Sequence, residues 1–320
     1  MNGLVKIKRA IQLIYKFFSN KALRFNYLAK LRLMDNISDK KFLSMKYRNV
    51  YGCDLNLESP LTFNEKLQWL KLYNRNPEYT IMVDKYKVRE YITQKIGEQY
   101  LIPLIGVWDS PEEIDFSLLP DQFAMKCNHN SGLGMCICTD KSKIDIEKVK
   151  KELAKGLKQN YYLSCREWPY KDVPRKIVAE KFMKSDAGGL TDYKIHCFNG
   201  IPKFILVCRD RFAKSGLTED FYTPEWGRMT VKRPKIPNSS VSIPKPEKLD
   251  EMLVLAQKLS KDISFLRVDF YVIEGKVYFS ELTFFPASGF EGFDPPEWDR
   301  IFGDWLVLPM KKDEPAYKEY

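Results

Sequence analysis

The chain has 320 residues, which predicts about two domains or one large one. Its hydrophobic fraction of 44% and charged fraction of 29% are near the globular average, which excludes a disordered chain. The net charge of +10 predicts an anionic partner: a nucleotide, an anionic lipid surface, an acidic polymer or a nucleic acid. No uncharged apolar run reaches the roughly 18 residues that a membrane span needs.

The cysteines and the N-terminus bear on the compartment. The seven cysteines include no CxxC pair, which argues against a zinc ribbon or a thioredoxin-type site. We therefore expect seven reduced thiols in a reducing compartment. The basic N-terminus lacks a compact apolar stretch followed by a small-residue cleavage site, so we expect no signal peptide and a cytoplasmic protein.

Residues 1–38 are predicted to form a basic amphipathic helical segment. Eight positive residues precede the first acid, Asp35, and aliphatic and aromatic residues lie between them. This composition is typical of a helix in a membrane interface, so residues 1–33 could contact an anionic surface such as the inner face of the plasma membrane. The alternative is a helix that docks on the rest of the protein and keeps its lysines in solvent.

Residues 39–115 are predicted to form a helical N-terminal region. Thr62 and Glu65 have the spacing of a capping box, which starts one helix. The pattern predicts a second helix over Thr80–Ile96, with Asp84 and Lys85 near its start. Strand signals begin at about residue 101, and no alternating strand–helix–strand pattern precedes them, so no Rossmann half is predicted.

Residues 116–320 mix short strands and helices, which predicts an α+β core. Two of its turns, Asn199-Gly200 and Glu274-Gly275, are dipeptides that favour β-hairpins. The predicted elements are strands at 122–127, 135–139 and 176–183, a helix at 145–160, a turn at 186–189, a hairpin over 192–198 and 202–208, a loop at 231–246, a helix at 246–262, and a hairpin over 265–273 and 276–282.

Two lysines are candidates for phosphate binding, although the chain has neither a GxxxxGK[ST] nor a GxGxxG motif. Lys126 ends a strand and is followed by the small polar loop Asn128–Gly134. The lysine could reach a phosphate as a point charge while backbone N–H groups of the loop close over it. The alternative is an ordinary hairpin turn. Lys194 shares one strand face with Asp192 and His196, and we expect polar contacts rather than catalysis from the histidine.

Three carboxylates in apolar strands are further candidates. Asp269 and Glu281 lie in the two strands of the last predicted hairpin, whose pairing could bring them close on one sheet face. Two oxygen ligands on one face, with charge left for phosphates, are typical of Mg²⁺ in ATP sites. The alternative is a solvated face, or an ion pair with Arg267. Glu180 closes an earlier apolar strand and could accept a hydrogen bond from an adenine amino group.

Taken in order, these motifs resemble those of ATP-grasp enzymes, and specifically the TupA-like ATP-grasp family found in bacterial surface-polysaccharide gene clusters. The resemblance spans about residues 40–310. It implies an ATP-grasp fold in which two α+β subdomains hold the nucleotide between them, preceded here by a helical region. The stretches that carry it are Leu61–Leu70, Met125–Gly132, Asp192–Gly200 and Ser280–Gly289.

The resemblance also implies the nucleotide contacts. Lys126 would bind the α- and β-phosphates with Lys85 as a weaker helper, and Lys194 would bind the terminal phosphates. The other implied nucleotide-binding residues are Ser131 and Gly132 in the loop over the phosphates, Glu180 at the adenine amino group, and Phe182 and Met183, whose backbone would form the hinge.

The metal and catalytic roles follow from the same resemblance. Asp269 and Glu281 would hold one or two Mg²⁺ ions, and Thr283 stands where many ATP-grasp enzymes have a further asparagine ligand. Arg267 and Lys194 would be catalytic, with Arg267 stabilising the charge that develops on the transferred phosphoryl group or the acyl intermediate.

These roles imply an ATP- and Mg²⁺-dependent carboxylate–amine ligase that forms an acyl-phosphate in the biosynthesis of a capsule, O-antigen or teichuronopeptide-like polymer. The substrate would be a sugar acid or an amino acid, free, lipid-linked or polymeric, and no nucleic acid partner is expected. The first alternative is a glycosyltransferase of the same pathway, although the chain contains no Asp-x-Asp motif. A non-catalytic protein that binds nucleic acid or membrane is the second, and the paired carboxylates disfavour it.

Overall fold

The computed structural model describes residues 20–184, 190–210 and 216–311. Within these ranges the chain is a mixed α+β fold, as predicted, and five α-helices precede the first strand. These helices are α1 (Lys21–Lys30), α2 (Asp39–Tyr51), α3 (Phe63–Tyr73), α4 (Glu78–Val83) and α5 (Val88–Lys95).

The predicted basic segment is described only in its second part, because residues 1–19 lie outside the described residues. Helix α1 packs on α2, and the ring centroids of Phe25 and Phe42 are 5.2 Å apart. This part of the segment therefore docks on the protein, and contact between residues 1–33 and a membrane stays a prediction. Every helix in the described ranges is too short or too polar to cross a bilayer.

Helix α3 begins at the predicted capping box. The Thr62 hydroxyl accepts a hydrogen bond from the Glu65 backbone N–H at 3.2 Å, and the Glu65 carboxylate accepts one from the Thr62 N–H at 3.0 Å. Both bonds satisfy backbone donors that a helix start leaves unpaired. The helix packs against α9 (Glu297–Trp305), where the rings of Phe63 and Phe302 meet edge to face at 6.3 Å.

The prediction of one helix over Thr80–Ile96 is wrong, because the chain breaks between α4 and α5. The Asp84 carboxylate accepts hydrogen bonds from the backbone N–H groups of Tyr86 and Lys87, at 2.8 and 3.3 Å. An aspartate side chain that binds the backbone in this way competes with helical hydrogen bonding. The break places Lys85 in a bend beside the core.

The first sheet has four antiparallel strands in the order β1-β4-β2-β3. Helix α6 (Ile146–Leu157) packs on β2 and β3, and its Leu153 is buried in one apolar cluster with Phe123 and Met125. A short helix, α7 (Tyr162–Cys165), follows it. The strands are β1 (Leu104–Trp108), β2 (Phe123–Cys127), β3 (Met135–Cys138) and β4 (Ile177–Lys181), which confirms the predicted elements to within a few residues.

The second sheet has five antiparallel strands in the order β7-β6-β5-β8-β9, with α8 (Leu249–Ser260) packed on β5, β6 and β8. Both predicted hairpins are confirmed: Asn199 and Gly200, like Glu274 and Gly275, all have positive φ, as a type I′ turn requires. The predicted turn at 186–189 lies outside the described residues. The strands are β5 (Asp192–Phe198), β6 (Ile201–Arg209), β7 (Thr218–Tyr222), β8 (Phe265–Ile273) and β9 (Lys276–Thr283).

The two sheets meet beside β9. Leu101, just before β1, forms a parallel bridge with Phe279 of β9, and α4 packs on the same strand. The chain therefore brings the end of β2, the α4–α5 break and the β8–β9 hairpin to one place. The division into segments 1–38, 39–115 and 116–320 stays a prediction.

Candidate active site

The register of β5, β8 and β9 aligns the predicted catalytic and metal-binding residues in two rows. One row pairs Lys194 with Asp269 and Asp269 with Glu281. The neighbouring row pairs Arg267 with both His196 and Thr283. Residues paired directly across antiparallel strands share a sheet face. The polar side chains of three strands therefore converge, as the sequence predicted for the β8–β9 pair.

Asp269 is held by two cations. The Arg267 guanidinium donates to both carboxylate oxygens at 2.7 Å, and the Lys194 ammonium lies 2.5 Å from one of them. Asp269 is only 1% exposed. Burial alone would raise its pKa, but Arg267 and Lys194 lower it to about 2. Burial likewise lowers the pKa of Lys194, but the charges of Asp269 and Asp192 together bring it above its usual value. The alternative of an arginine–carboxylate ion pair is therefore realised in the structure.

Glu281 lies across from Asp269 with a different set of neighbours. The Thr283 hydroxyl donates to its carboxylate at 3.0 Å. Burial would raise the pKa of Glu281, but the positive charges of Lys85 and Arg267 bring it below its usual value. Glu281 is thus ionised at neutral pH, and no cation among the described residues lies as close to it as those on Asp269.

The donor set of this pair fits Mg²⁺. Two ionised carboxylates and a hydroxyl are oxygen ligands, and Mg²⁺ commonly takes one or two carboxylates and completes its shell with phosphate oxygens and water. Glu281 would be the principal ligand, because both oxygens of Asp269 already accept from Arg267 and Lys194. No group of three or more His, Cys, Asp or Glu side chains with metal-site spacing occurs in the described ranges.

The opposite wall comes from the first sheet and α5. The Lys126 ammonium is 2.7 Å from the Glu180 carboxylate, and Arg89 of α5 lies 3.3 Å from the same group. The sequence reasoning missed Arg89, which follows Lys85 by four residues and so continues the same basic stretch. Glu180 is buried between two cations, and its role at an adenine amino group stays a prediction.

The loop after β2 is anchored by a buried asparagine that the sequence reasoning also missed. The Asn128 amide donates to the Asp84 carboxylate and to the Pro174 carbonyl, both at 2.8 Å, and its oxygen accepts from the Lys176 N–H at 2.8 Å. These bonds join the start of the loop to the α4–α5 break and to β4. A small polar residue after a strand-end lysine is the only sequence signal of this anchor.

Lys85 braces the same loop. Its ammonium donates to the Asn130 carbonyl at 2.6 Å, and burial lowers its pKa while the Glu281 charge opposes that change. By contrast, Ser131 and Gly132 lie exposed at the loop tip, and Gly132 has φ of 79° with open space around it. The structure therefore brings Lys85 to the site and leaves the two tip residues outside its close contacts.

A small cavity lies between the two walls. Apolar side chains of Leu101, Ile102 and Phe279 line one part of it, and charged side chains line the rest. The charged members are Lys85, Arg89, Lys126 and Glu180. The cavity has a volume of about 10 Å³, which is room for about one water, so a nucleotide could enter only if the two walls moved apart.

A sequence model of TupA-like ATP-grasp proteins matches residues 65–307, which is well over half of the chain. The protein belongs to the TupA-like ATP-grasp family. A comparison with curated proteins gave no significant match.

Comparison with solved structures finds ATP-grasp ligases at low similarity. D-alanine–D-alanine ligase from Bacillus anthracis, solved with ATP, is 17% identical with a TM-score of 0.37, over 63% of this chain and 53% of that one. The corresponding ligase from Helicobacter pylori is 16% identical with a TM-score of 0.39, over 76% and 69%. The ATP-grasp ligase PsnB, solved with Mg and ADP, is 10% identical with a TM-score of 0.39, over 79% and 64%. The present chain thus spans about half the length of the first ligase, and TM-scores this low add nothing to the family match.

Within this ATP-grasp protein, the predicted site residues other than Ser131 and Gly132 fall into three sets. Lys194, Arg267, Asp269, Glu281 and Thr283 lie together on the second sheet. Lys85, Lys126 and Glu180 lie together around the small cavity, on the side of the first sheet. Phe182 and Met183 directly follow β4 and are half-buried, and their hinge role stays a prediction.

The two histidines of this ATP-grasp protein make polar contacts, as expected. His196 stacks on Phe204 at 4.1 Å and its Nδ1 lies 3.0 Å from the Lys194 carbonyl. Burial holds its pKa well below the usual value, so it stays neutral. His129 contacts the Gln159 carbonyl through Nε2 at 3.0 Å, and burial lowers its pKa as well.

Proposed function

We propose that this protein is an ATP- and Mg²⁺-dependent carboxylate–amine ligase that works through an acyl-phosphate. The observation that carries the proposal is the row of Lys194, Asp269 and Glu281, flanked by Arg267, opposite a wall that contains Lys126. Cations on both walls match the charge of a triphosphate, and the ionised carboxylates on one wall would hold the Mg²⁺ that accompanies it. Membership of the ATP-grasp family supports the same class of reaction.

The proposed role of each residue follows from its position in the site. Lys126 would hold the inner phosphates and Lys194 the terminal ones, while Asp269 and Glu281 hold Mg²⁺. The metal supplies neutralisation of phosphate charge during transfer. Arg267 keeps its guanidinium fixed by two bonds to Asp269 and offers its remaining donors to the charge that develops on the phosphoryl group.

The proposed reaction consists of two group transfers and involves no oxidation or reduction. A substrate carboxylate oxygen bonds to the γ-phosphorus as the bond from that phosphorus to ADP breaks. An amine nitrogen then bonds to the acyl carbon, phosphate leaves, and the nitrogen loses a proton. The products are an amide, ADP and inorganic phosphate.

The substrate class is proposed from the family and the charge together. The TupA-like family points to a sugar acid or an amino acid in surface-polysaccharide assembly, free, lipid-linked or polymeric. A net charge of +10 suits an anionic polymer or an anionic inner leaflet where lipid-linked intermediates lie. We place the protein in the cytoplasm, peripheral on the inner face of the plasma membrane.

The test of this function is the set of products. Purified protein, Mg²⁺ and ATP are screened with amino acids and sugar acids, and phosphorus NMR follows the nucleotide. We expect ADP and inorganic phosphate to appear only when a carboxylate is present, and hydroxylamine to trap the intermediate as a hydroxamate. AMP with pyrophosphate would mean an adenylating enzyme, and a nucleotide released from a sugar-nucleotide would mean a glycosyltransferase.

The phosphate contact at Lys126 gives a separate prediction. Lys126→Met should raise the Kd for ATP by at least about tenfold, since a charge-assisted contact of about 1.5–3 kcal/mol is lost. The fold should persist because Glu180 keeps Arg89 as a partner. Lys176→Met is the matched control: both lysine side chains are 27% exposed and paired with one carboxylate, but Lys176 pairs with Asp109 away from the cavity. Equal affinities in a nucleotide titration would contradict the phosphate role.

A further inference from the structure

Helix α3 carries a row of polar side chains on its buried face. Asn64, Gln68 and Lys71 are each 0% exposed and lie at the i, i+4 and i+7 positions of one helix face. Burying an amide or an ammonium is costly unless it is hydrogen-bonded. The function proposed above uses none of the three, although two of them belong to the Leu61–Leu70 stretch singled out in the sequence.

All three side chains bind one distant loop. Asn64 exchanges two hydrogen bonds with the backbone of Glu291, at 2.9 and 3.0 Å. Gln68 donates to the Gly289 carbonyl at 2.6 Å, and the Lys71 ammonium donates to the Ser288 carbonyl at 2.7 Å. The row therefore binds several backbone groups of the loop 286–291, which lies more than 200 residues further along the chain than the helix.

The loop needs such support because its backbone is strained. Ala287, Ser288 and Gly289 have φ of 46°, 55° and 64° in succession, and the first two are not glycine. Left-handed conformations of this kind persist only where the surroundings fix them, and they concentrate at functional sites. A fourth contact adds to the support, since the Ser288 hydroxyl donates to the buried Glu167 carboxylate at 2.5 Å.

The loop also lies beside the proposed metal site. It starts three residues after Thr283, at the end of the strand that carries Glu281. Because the loop continues directly from the strand that carries Glu281, its conformation sets the course of the chain next to that strand end.

We infer that Asn64, Gln68 and Lys71 are positioning residues that hold the loop 286–291 in its left-handed conformation and so build the acceptor end of the active site. This inference rests on the proposed ligase function. It assigns to the N-terminal helical region the task of shaping the site for the carboxylate that receives the phosphoryl group, while ATP binds elsewhere, between the two sheets.

The test compares lysines on the same helix. Lys71→Met removes an ammonium that binds the loop. Lys66→Met is the matched control, because Lys66 donates to the carbonyls of Gly303 and Leu306 at 2.8 and 2.7 Å and makes no bond to the loop. Gln68→Met is a second variant, which removes the amide that donates to the Gly289 carbonyl and buries no new polar group. It replaces Lys71→Met as the test if that variant does not fold.

Hydrogen exchange measured by mass spectrometry reports on the loop directly. We expect Lys71→Met and Gln68→Met to speed exchange at least tenfold in the peptide that contains the amides of Ser288, Phe290 and Glu291, while Lys66→Met leaves that peptide unchanged. Binding of a fluorescent ATP analogue should change less than threefold in all three variants. ADP release that depends on an added carboxylate should fall at least tenfold in the first two only.

The outcomes separate the two proposals. Unchanged loop exchange in folded Lys71→Met and Gln68→Met protein would overturn the positioning role, and so would faster exchange with unchanged carboxylate-dependent ADP release. A wild-type protein that bound no ATP would instead overturn the ligase function, and the exchange comparison would still decide whether α3 holds the loop.

Discussion

Replacement of Glu281 by glutamine is expected to lower Mg²⁺-dependent ADP release by at least about 100-fold. Glutamine keeps the size of the side chain, and its carbonyl oxygen can still accept a hydrogen bond from the Thr283 hydroxyl. The substitution removes the negative charge that Mg²⁺ requires, so the protein should stay folded and lose turnover. Measurement of ADP release over a range of Mg²⁺ concentrations, with thermal unfolding as the check on folding, decides the result.

Glu281 is a sharper test of the metal site than Asp269. Removing the Asp269 charge would leave Arg267 and Lys194 buried without their shared partner, and breaking a buried pair costs about 3–5 kcal/mol of stability. Glu274→Gln is the matched control for Glu281→Gln, because it makes the same change at the exposed turn of the same hairpin. Near-normal ADP release by folded Glu281→Gln would remove the metal assignment.

The sequence predicted the parts of the site that depend on local patterns. Asn199-Gly200 and Glu274-Gly275 favour turns with positive φ, and strand alternation then indicates which side chains within one strand share a face. In the β8–β9 hairpin, however, regular pairing from the turn would place Asp269 opposite Ser280. A register shift between Asp269 and Phe270 places Asp269 opposite Glu281, and the local pattern does not predict that shift. The order of the motifs, and not any single one, indicated the family.

Other parts could not be read from local patterns, because they depend on contacts between distant residues. The side chain of Asp84 ends α4 by capping the backbone, whereas the periodicity of the surrounding residues favours one continuous helix. Lys85 looks like a free phosphate ligand in the sequence, yet it binds the Asn130 carbonyl. The buried row on α3 appears in the sequence only as an unusually polar helix face.

The lysines of the cleft already form ion pairs with carboxylates, and these pairs affect how a nucleotide could bind. Lys126 pairs with Glu180, and Lys194 pairs with Asp269 and, at 3.6 Å, with Asp192. A triphosphate would therefore exchange partners with these carboxylates instead of meeting free charges. Ion pairs of this kind hold the ammonium groups in place when no ligand is bound, at the cost of affinity when the pairs must open.

Replacement of Arg267 by lysine is expected to lower turnover by about 100-fold or more, with ATP affinity changed by less than about threefold. Lysine keeps the positive charge that neutralises Asp269. It cannot reproduce the two parallel hydrogen bonds of the guanidinium or offer further fixed donors to a phosphoryl group. The loss should therefore fall on the transition state and not on nucleotide binding, which single-turnover kinetics and an ATP titration distinguish.

Arg228→Lys is the matched control for this prediction. Arg228 also pairs with a buried aspartate of the second sheet, Asp220, but it lies outside the rows that contain Asp269 and Glu281. We expect that variant to turn over ATP at close to the wild-type rate. If Arg267→Lys does the same while remaining folded, then the arginine serves only to neutralise Asp269, and the charge on the transferred phosphoryl group must be stabilised by Lys194 or by the metal alone.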